Sequence, residues 1–224
     1  MTKHITLILL LIILPLSVFL FLNKDKYLTN YDYTKNENNQ QQLNVDLTSQ
    51  TGQYQVEFED INYFNDTIGF YVQPNEDGEF EGVVMIHEWW GLNEHIKEQA
   101  KILASHGYRV LAVDLFNSVA ENREQAMTQV QSLDQQVALE NMSSAIEYLK
   151  SRGSTKVASL GWCFGGAQSL QVSLNQNLDA TIIYYGNLVT DSQQLSGLKS
   201  PVLGIFGDED TSIPVENVNQ FESE

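Results

Sequence analysis

The chain has 224 residues, 42% of them hydrophobic, which suffices for one large domain or two small ones with a buried core. Its net charge at pH 7 is −17, and the whole excess lies in residues 53–224, where 25 acidic residues oppose eight lysines and arginines. This balance argues against nucleic acid or an anionic lipid surface as a partner of that region.

The N-terminal 52 residues are predicted to lie outside the folded domain. Residues 5–22 are uncharged and apolar, long enough to span a bilayer, and no small-x-small cleavage site follows them, so we expect an uncleaved membrane anchor rather than a cleaved signal. Lysines on both sides leave the orientation weakly defined; we expect the domain to face away from the cytoplasm. Residues 23–52 are rich in Asn, Gln, Thr and Lys, which predicts a disordered polar linker.

Residues 53–224 alternate short β-rich runs with longer segments of helical periodicity. The pattern predicts a mostly parallel sheet flanked by helices, an α/β fold in which functional groups follow the carboxyl ends of the strands. The predicted strands lie at 54–58, 68–72, 82–86, 109–116, 156–160, 180–185 and 201–206, with 61–66 joining the first two. The predicted helices lie at 93–106, 135–151 and 163–174.

The only cysteine of the chain lies in the pattern Gly161-x-Cys163-x-Gly165, between a predicted strand and a predicted helix. A lone cysteine is often a small buried hydrophobe. The strand–turn–helix context instead favours a nucleophile elbow, in which small flanking residues let the strand and the helix pass closely. We also expect the helix N-terminus to favour the thiolate.

Two other segments bring polar groups to the same predicted edge. Asp208 and Asp210 follow the strand at 201–206, where either carboxylate could be a catalytic acid or could cap a turn. Glu88 and the backbone of Trp89 follow the strand at 82–86. The sequence has no CxxC, HExxH or GxxxxGK[ST] motif, and we expect neither a metal nor a cofactor.

From about Tyr54 onwards the chain resembles the dienelactone hydrolase (carboxymethylenebutenolidase-like) family of α/β-hydrolases. The resemblance rests on HEWWGL, GYRVLAVDLF, LGWCFGG and GIFGDEDTSIP taken together. It implies a three-layer α/β-hydrolase sandwich that cleaves an ester or lactone through a Cys–His–Asp triad and an acyl-cysteine. By the resemblance, Cys163 is the nucleophile, Asp210 the acid and Glu88 a glutamate that takes part in activating the thiol. The backbone amides of Trp89 and Phe164 would form the oxyanion hole.

The triad histidine does not appear where the resemblance implies it. In this family it follows the acid, yet His4, His87, His95 and His106 all precede Asp210. The resemblance implies one further strand, a histidine loop and a closing helix, so we expect a truncated sequence in preference to a protein that has lost its base. We do not expect His87 or His95 to replace the base.

The family's substrate arginines are also missing from the expected place. Members that act on dienelactone hold its carboxylate with an arginine soon after the segment DLF, which is residues 114–116 here. The nearest arginine after that segment in this chain is Arg123. We therefore expect a small neutral ester or lactone. Two alternatives stay open: a non-catalytic ligand-binding pseudo-hydrolase, and a redox-reactive thiol at Cys163.

Overall fold

A computed structural model describes residues 52–224, of which Gln53–Glu224 form one compact unit. The described residues form a seven-stranded sheet with the order β1-β2-β4-β3-β5-β6-β7. The strands are β1 (Val56–Phe64), β2 (Thr67–Pro74), β3 (Glu81–Ile86), β4 (Tyr108–Val113), β5 (Val157–Trp162), β6 (Ala180–Tyr184) and β7 (Val202–Ile205). β2 runs antiparallel to both of its neighbours, β1 and β4, whereas the strands β4, β3, β5, β6 and β7 run parallel to one another. The predicted α/β fold is thus confirmed.

Six helices accompany the sheet in this part of the chain: α1 (Glu94–Ser105), α2 (Arg123–Gln131), α3 (Gln135–Ser151), α4 (Phe164–Asn175), α5 (Ser192–Leu195) and α6 (Val215–Ser223). The apolar pattern did not predict α2, because this helix buries a single residue, Ala126, and so lacks a hydrophobic face. It begins instead at an N-cap, where Asn122 Oδ1 accepts a hydrogen bond from the Gln125 amide at 3.0 Å.

Two predicted boundaries were wrong. Residues 61–64 continue β1, and the chain reverses only at Asn65, whose φ of 46° produces the tight turn before β2. The strand predicted at 109–116 ends at Val113. The next carboxylate, Asp114, accepts hydrogen bonds from the Phe116 and Asn117 amides, both at 2.9 Å, and these turn the chain out of the sheet.

The core occupies both faces of the sheet. On one face, Tyr71, Val84, Ile86, Leu111 and Val113 pack with residues of α3 and α4 in one buried cluster. The alternating side chains point to the opposite face, where Lys97 and Lys101 of α1 lie over the ring of Phe70. The helices thus hold the strands in a fixed register, so the loops at the carboxyl ends start from rigid positions.

The anchor predicted at 5–22 and the linker predicted at 23–52 lie outside the described residues, apart from Gly52. Across residues 52–224 the structure contains no helix with the length and apolar character needed to cross a membrane. The N-terminal anchor and its orientation stay predictions.

Candidate active site

Cys163 lies at the junction between β5 and α4. Its backbone has φ 53° and ψ −116°, a left-handed conformation that L-residues with a side chain seldom adopt. The turn is anchored because the Cys163 amide donates to the Tyr184 carbonyl of β6 at 3.0 Å. The thiol side chain is exposed at the carboxyl edge of the sheet. Backbone strain of this kind is typical of functional sites, since the surrounding structure must maintain it.

Gly161 and Gly165, on either side of Cys163, lie so close to neighbouring backbone atoms that a side chain would not fit. A Cβ atom on Gly161 would overlap the Gly165 carbonyl group and would lie 2.9 Å from the Gly166 nitrogen. A Cβ atom on Gly165 would lie 2.5 Å from the His87 carbonyl oxygen. Only residues without a side chain therefore let α4 start directly over β5 and β3.

Glu88 and Asp210 lie close enough to Cys163 for their charges to act on its thiol. Partial burial is the main reason that the pKa of Cys163 is raised, and the two carboxylates raise it further. A hydrogen bond from the Phe164 backbone amide opposes this effect. The first amide of α4 thus favours the thiolate, as expected, but burial and the two negative charges outweigh this contact, so that the net shift of the thiol pKa is upward.

Asp210 is held by its own turn. Its Oδ1 atom accepts hydrogen bonds from the Ser212 amide at 2.8 Å and from the Ile213 amide at 3.1 Å. The side chain is half-buried, whereas Asp208 is exposed. The sequence did not decide which of Asp208 and Asp210 caps the turn and which acts on the thiol. In the structure Asp210 does both.

Tyr185 is a site residue that the sequence analysis missed. Its hydroxyl donates to Glu88 Oε1 at 3.3 Å, and its φ of 38° is a second left-handed conformation at this edge. Burial raises the pKa of Tyr185, as do the negative charges of Glu88 and Cys163, so its phenol stays a proton donor. Its position directly after β6 was the available signal, since functional groups in such folds follow the carboxyl ends of the strands.

None of the three histidines among the described residues is placed as a free base beside Cys163. His87 is fully buried; its Nδ1–H donates to the Glu88 carbonyl at 2.6 Å and its Nε2 accepts from the Leu115 amide at 3.0 Å. Burial lowers the pKa of His87, which keeps the ring neutral. His95 is exposed on α1, and His106 follows the end of that helix.

The two predicted oxyanion donors lie on different elements. Phe164 is the first residue of α4, and its amide hydrogen-bonds to Cys163. Trp89 lies in the turn after β3, and its carbonyl accepts from Gln129 Nε2 of α2 at 3.3 Å. Its ring contacts Trp90 at a centroid distance of 5.0 Å.

Comparison with known protein families identifies the family of the chain. Residues 68–224 match the model described as the dienelactone hydrolase family. The chain belongs to the dienelactone hydrolase family.

Two curated relatives of the chain are named as carboxymethylenebutenolidases. A curated protein of Methylorubrum extorquens, named "Putative carboxymethylenebutenolidase", is 32% identical over 172 residues, which cover 68% of this chain and 59% of that protein. A protein of the same name from Saccharolobus solfataricus is 28% identical over 171 residues, covering 58% of this chain and 66% of that protein. The chain thus spans about three fifths to two thirds of the length of these two relatives.

Solved structures show the same fold. A crystal structure titled "Putative Dienelactone Hydrolase", from Klebsiella pneumoniae, superposes with a TM-score of 0.69 at 21% identity and covers 75% of this chain and 80% of its own. A dienelactone hydrolase-like promiscuous phosphotriesterase from metagenomic libraries superposes with a TM-score of 0.68 at 25% identity and covers 75% of each chain. These superpositions support the α/β-hydrolase architecture described above.

Arg123 is the nearest arginine after the segment DLF (residues 114–116). Arg123 begins α2, and its guanidinium carbon lies 5.8 Å from the ring centroid of Trp89. The arginine nearest the DLF segment thus stacks on the aromatic ring beside a predicted oxyanion donor.

Proposed function

We propose that this site hydrolyses a small neutral ester or lactone through a thioester on Cys163. The observation that carries the proposal is the strained Cys163 backbone at φ 53°, packed against glycines that leave no room for a side chain. An exposed thiol held in this way has no packing role that would explain the strain. Membership of the dienelactone hydrolase family supports the same reaction class.

The proposed acylation assigns a role to each group around the thiol. The sulfur attacks the carbonyl carbon while its proton passes to Glu88, and the carbonyl oxygen becomes an oxyanion facing the Trp89 and Phe164 amides. The C–O bond to the leaving group then breaks, and the alcohol leaves with the proton from Glu88. Tyr185 donates to Glu88 and holds this carboxylate beside the sulfur.

Hydrolysis of the thioester requires a base that activates water. By the family resemblance this base is a histidine oriented by Asp210, and no histidine in the sequence follows that residue. Both ring nitrogens of His87 are occupied by backbone groups, so His87 cannot take over the task. We therefore propose that residues 53–224, taken alone, are acylated and then deacylate slowly, because general-base assistance contributes roughly 10²–10⁴-fold.

Charge around the site favours a neutral substrate. Residues 53–224 carry the whole net charge of −17, and Glu88 and Asp210 both act on the thiol itself. The one arginine of the DLF region, Arg123, lies against Trp89. An anionic substrate would approach against this field.

Imidazole supplied in solution tests the proposal. We expect that it accelerates turnover of p-nitrophenyl acetate and of a simple lactone by the wild-type chain, because it replaces the missing base. The Cys163→Ala variant, compared at each imidazole concentration, should show only the solution rate. Equal rates for the two proteins would refute the proposal.

A neutral aryl phosphotriester should be assayed beside these substrates, since one structural relative is described as a promiscuous phosphotriesterase.

A non-catalytic ligand-binding role is the second candidate. The observation that favours it is that both ring nitrogens of His87 are hydrogen-bonded to backbone groups. The thiol therefore has no imidazole partner among the described residues. Under this alternative, lactones bind and protect Cys163 from alkylation but are recovered unchanged. Covalent acylation of Cys163 would exclude it.

A further inference from the structure

His87 is a fully buried polar side chain that the proposed reaction does not use. Its ring lies between two aromatic rings, with centroid distances of 4.9 Å to Phe116 and 6.0 Å to Phe164. A histidine that only filled space here would lose the hydration of two ring nitrogens without compensation. Both nitrogens instead have specific backbone partners, which suggests a positional role.

The two hydrogen bonds of His87 fix its tautomer. Nε2 accepts from the Leu115 amide, so the ring proton is on Nδ1, and Nδ1–H donates to the Glu88 carbonyl at 2.6 Å. Burial lowers the pKa of His87, so this neutral tautomer is maintained near neutral pH. Neither nitrogen keeps a lone pair with which to accept a proton from Cys163 or from water.

The Glu88 carbonyl belongs to the same peptide group as the Trp89 amide. Peptide bonds in the described residues are trans, and in a trans peptide the C=O and N–H groups point in opposite directions. Holding the Glu88 carbonyl towards the buried imidazole therefore points the Trp89 N–H away from the imidazole. Within residues 52–224 the structure shows no backbone acceptor for that N–H.

A second contact holds the same carbonyl. The Gly91 amide donates to it at 3.3 Å across the turn, a longer bond than that of His87. Because a peptide whose carbonyl accepts a strong hydrogen bond is polarised, its N–H becomes a better donor. The short bond from His87 is thus the main constraint on the peptide, and the turn is the weaker one.

We propose that His87 is a positioning residue that fixes the Glu88–Trp89 peptide so that the Trp89 amide can bind the oxyanion formed when Cys163 is acylated. This inference rests on the proposed function, since it assigns His87 to the same site. Loss of one oxyanion donor costs about 10²–10³-fold in rate. Since the Gly91 bond would remain, we expect a smaller loss of about tenfold when His87 no longer donates.

Two reactions of the same thiol separate this role from a general structural one. Alkylation of Cys163 by iodoacetamide displaces iodide and forms no oxyanion, whereas acylation by p-nitrophenyl acetate does form one. His87→Gln places an amide near the position of Nε2 and removes the donor at Nδ1. His87→Asn is the matched variant, because its amide lies near Nδ1 and can still donate to the Glu88 carbonyl.

We expect His87→Gln to slow the acylation burst about tenfold while iodoacetamide alkylation stays within about twofold of wild type across pH 6–9. His87→Asn should keep most of the burst rate. Equal losses in both reactions, or an unchanged burst in His87→Gln, would overturn the inference. A wild-type protein that is alkylated at Cys163 but never acylated would instead refute the proposed function.

A measurement on the wild-type chain covers the case in which both variants fail to fold. The ¹⁵N shifts of the His87 ring should show a proton on Nδ1 alone at pH 7. A ring protonated on Nε2, or on both nitrogens, at that pH would overturn the inference without any substitution.

Discussion

Gly161→Ala is the most informative perturbation of the elbow. The added methyl group would overlap the Gly165 carbonyl and lie 2.9 Å from the Gly166 nitrogen, closer than real Cβ atoms come to other heavy atoms. The three nearest atoms to this methyl group are all backbone atoms, so no side-chain rotation can relieve the overlap. Overpacking of a well-packed interior typically costs 1–3 kcal/mol, and we expect about 3 kcal/mol here because β5 and α4 must move apart as rigid elements.

For a domain of this size each kcal/mol shifts the melting temperature by roughly 2–4 °C, so Gly161→Ala should melt about 6–12 °C below wild type. Circular dichroism on heating measures this shift. Gly207→Ala is the matched control, because the nearest atom to its added methyl group is Asp210 Cβ at 3.8 Å, and it should change the free energy of unfolding by less than about 0.5 kcal/mol. An equal melting temperature for Gly161→Ala and wild type would show that this close approach does not exist in solution.

Three further predictions concern the groups around the thiol. Glu88→Gln should raise the rate of Cys163 alkylation at pH 7, since removing a negative charge lowers the thiol pKa. An unchanged rate would show that the Glu88 charge does not act on the thiol. Tyr185→Phe should lower the free energy of unfolding in urea by about 0.5–1.5 kcal/mol, as expected for one lost hydrogen bond, and a neutral result would argue against the bond to Glu88. Because burial lowers the pKa of His87, the unfolded chain binds a proton at this residue below pH about 6.5 whereas the folded chain does not, so stability falls as the pH drops. The loss of the free energy of unfolding in urea between pH 7 and pH 5 should therefore be smaller in His87→Asn than in wild type. An identical loss in the two proteins would contradict the buried neutral ring.

The elbow could be predicted from the sequence because its determinants are local. A β-rich run, two glycines two residues either side of Cys163 and a following helix together specify a turn whose packing excludes side chains. The same local pattern gave the strands of the sheet, since buried parallel strands are continuous apolar runs. The weakly amphipathic α2 did not stand out, because capping and contacts to Trp89, rather than a hydrophobic face, hold it in place.

The electrostatics of the site could not be predicted from the sequence, because they depend on distances across the sheet. Glu88 and Asp210 are separated by most of the domain in sequence, yet both act on the thiol of Cys163. Tyr185 likewise lies 97 positions from the carboxylate to which it donates. A helix N-terminus seen alone suggested a lowered thiol pKa, and the three-dimensional arrangement reverses that direction.

Intact-protein mass spectrometry after brief exposure to p-nitrophenyl acetate tests the central claim most directly. We predict the addition of one acetyl group, located by peptide mapping at Cys163, released by hydroxylamine and absent in Cys163→Ala. Slow loss of that group without imidazole, and faster loss with it, would agree with the proposed missing base. A wild-type protein that stays unmodified, or an adduct that persists in Cys163→Ala, would contradict the assignment of Cys163 as the nucleophile.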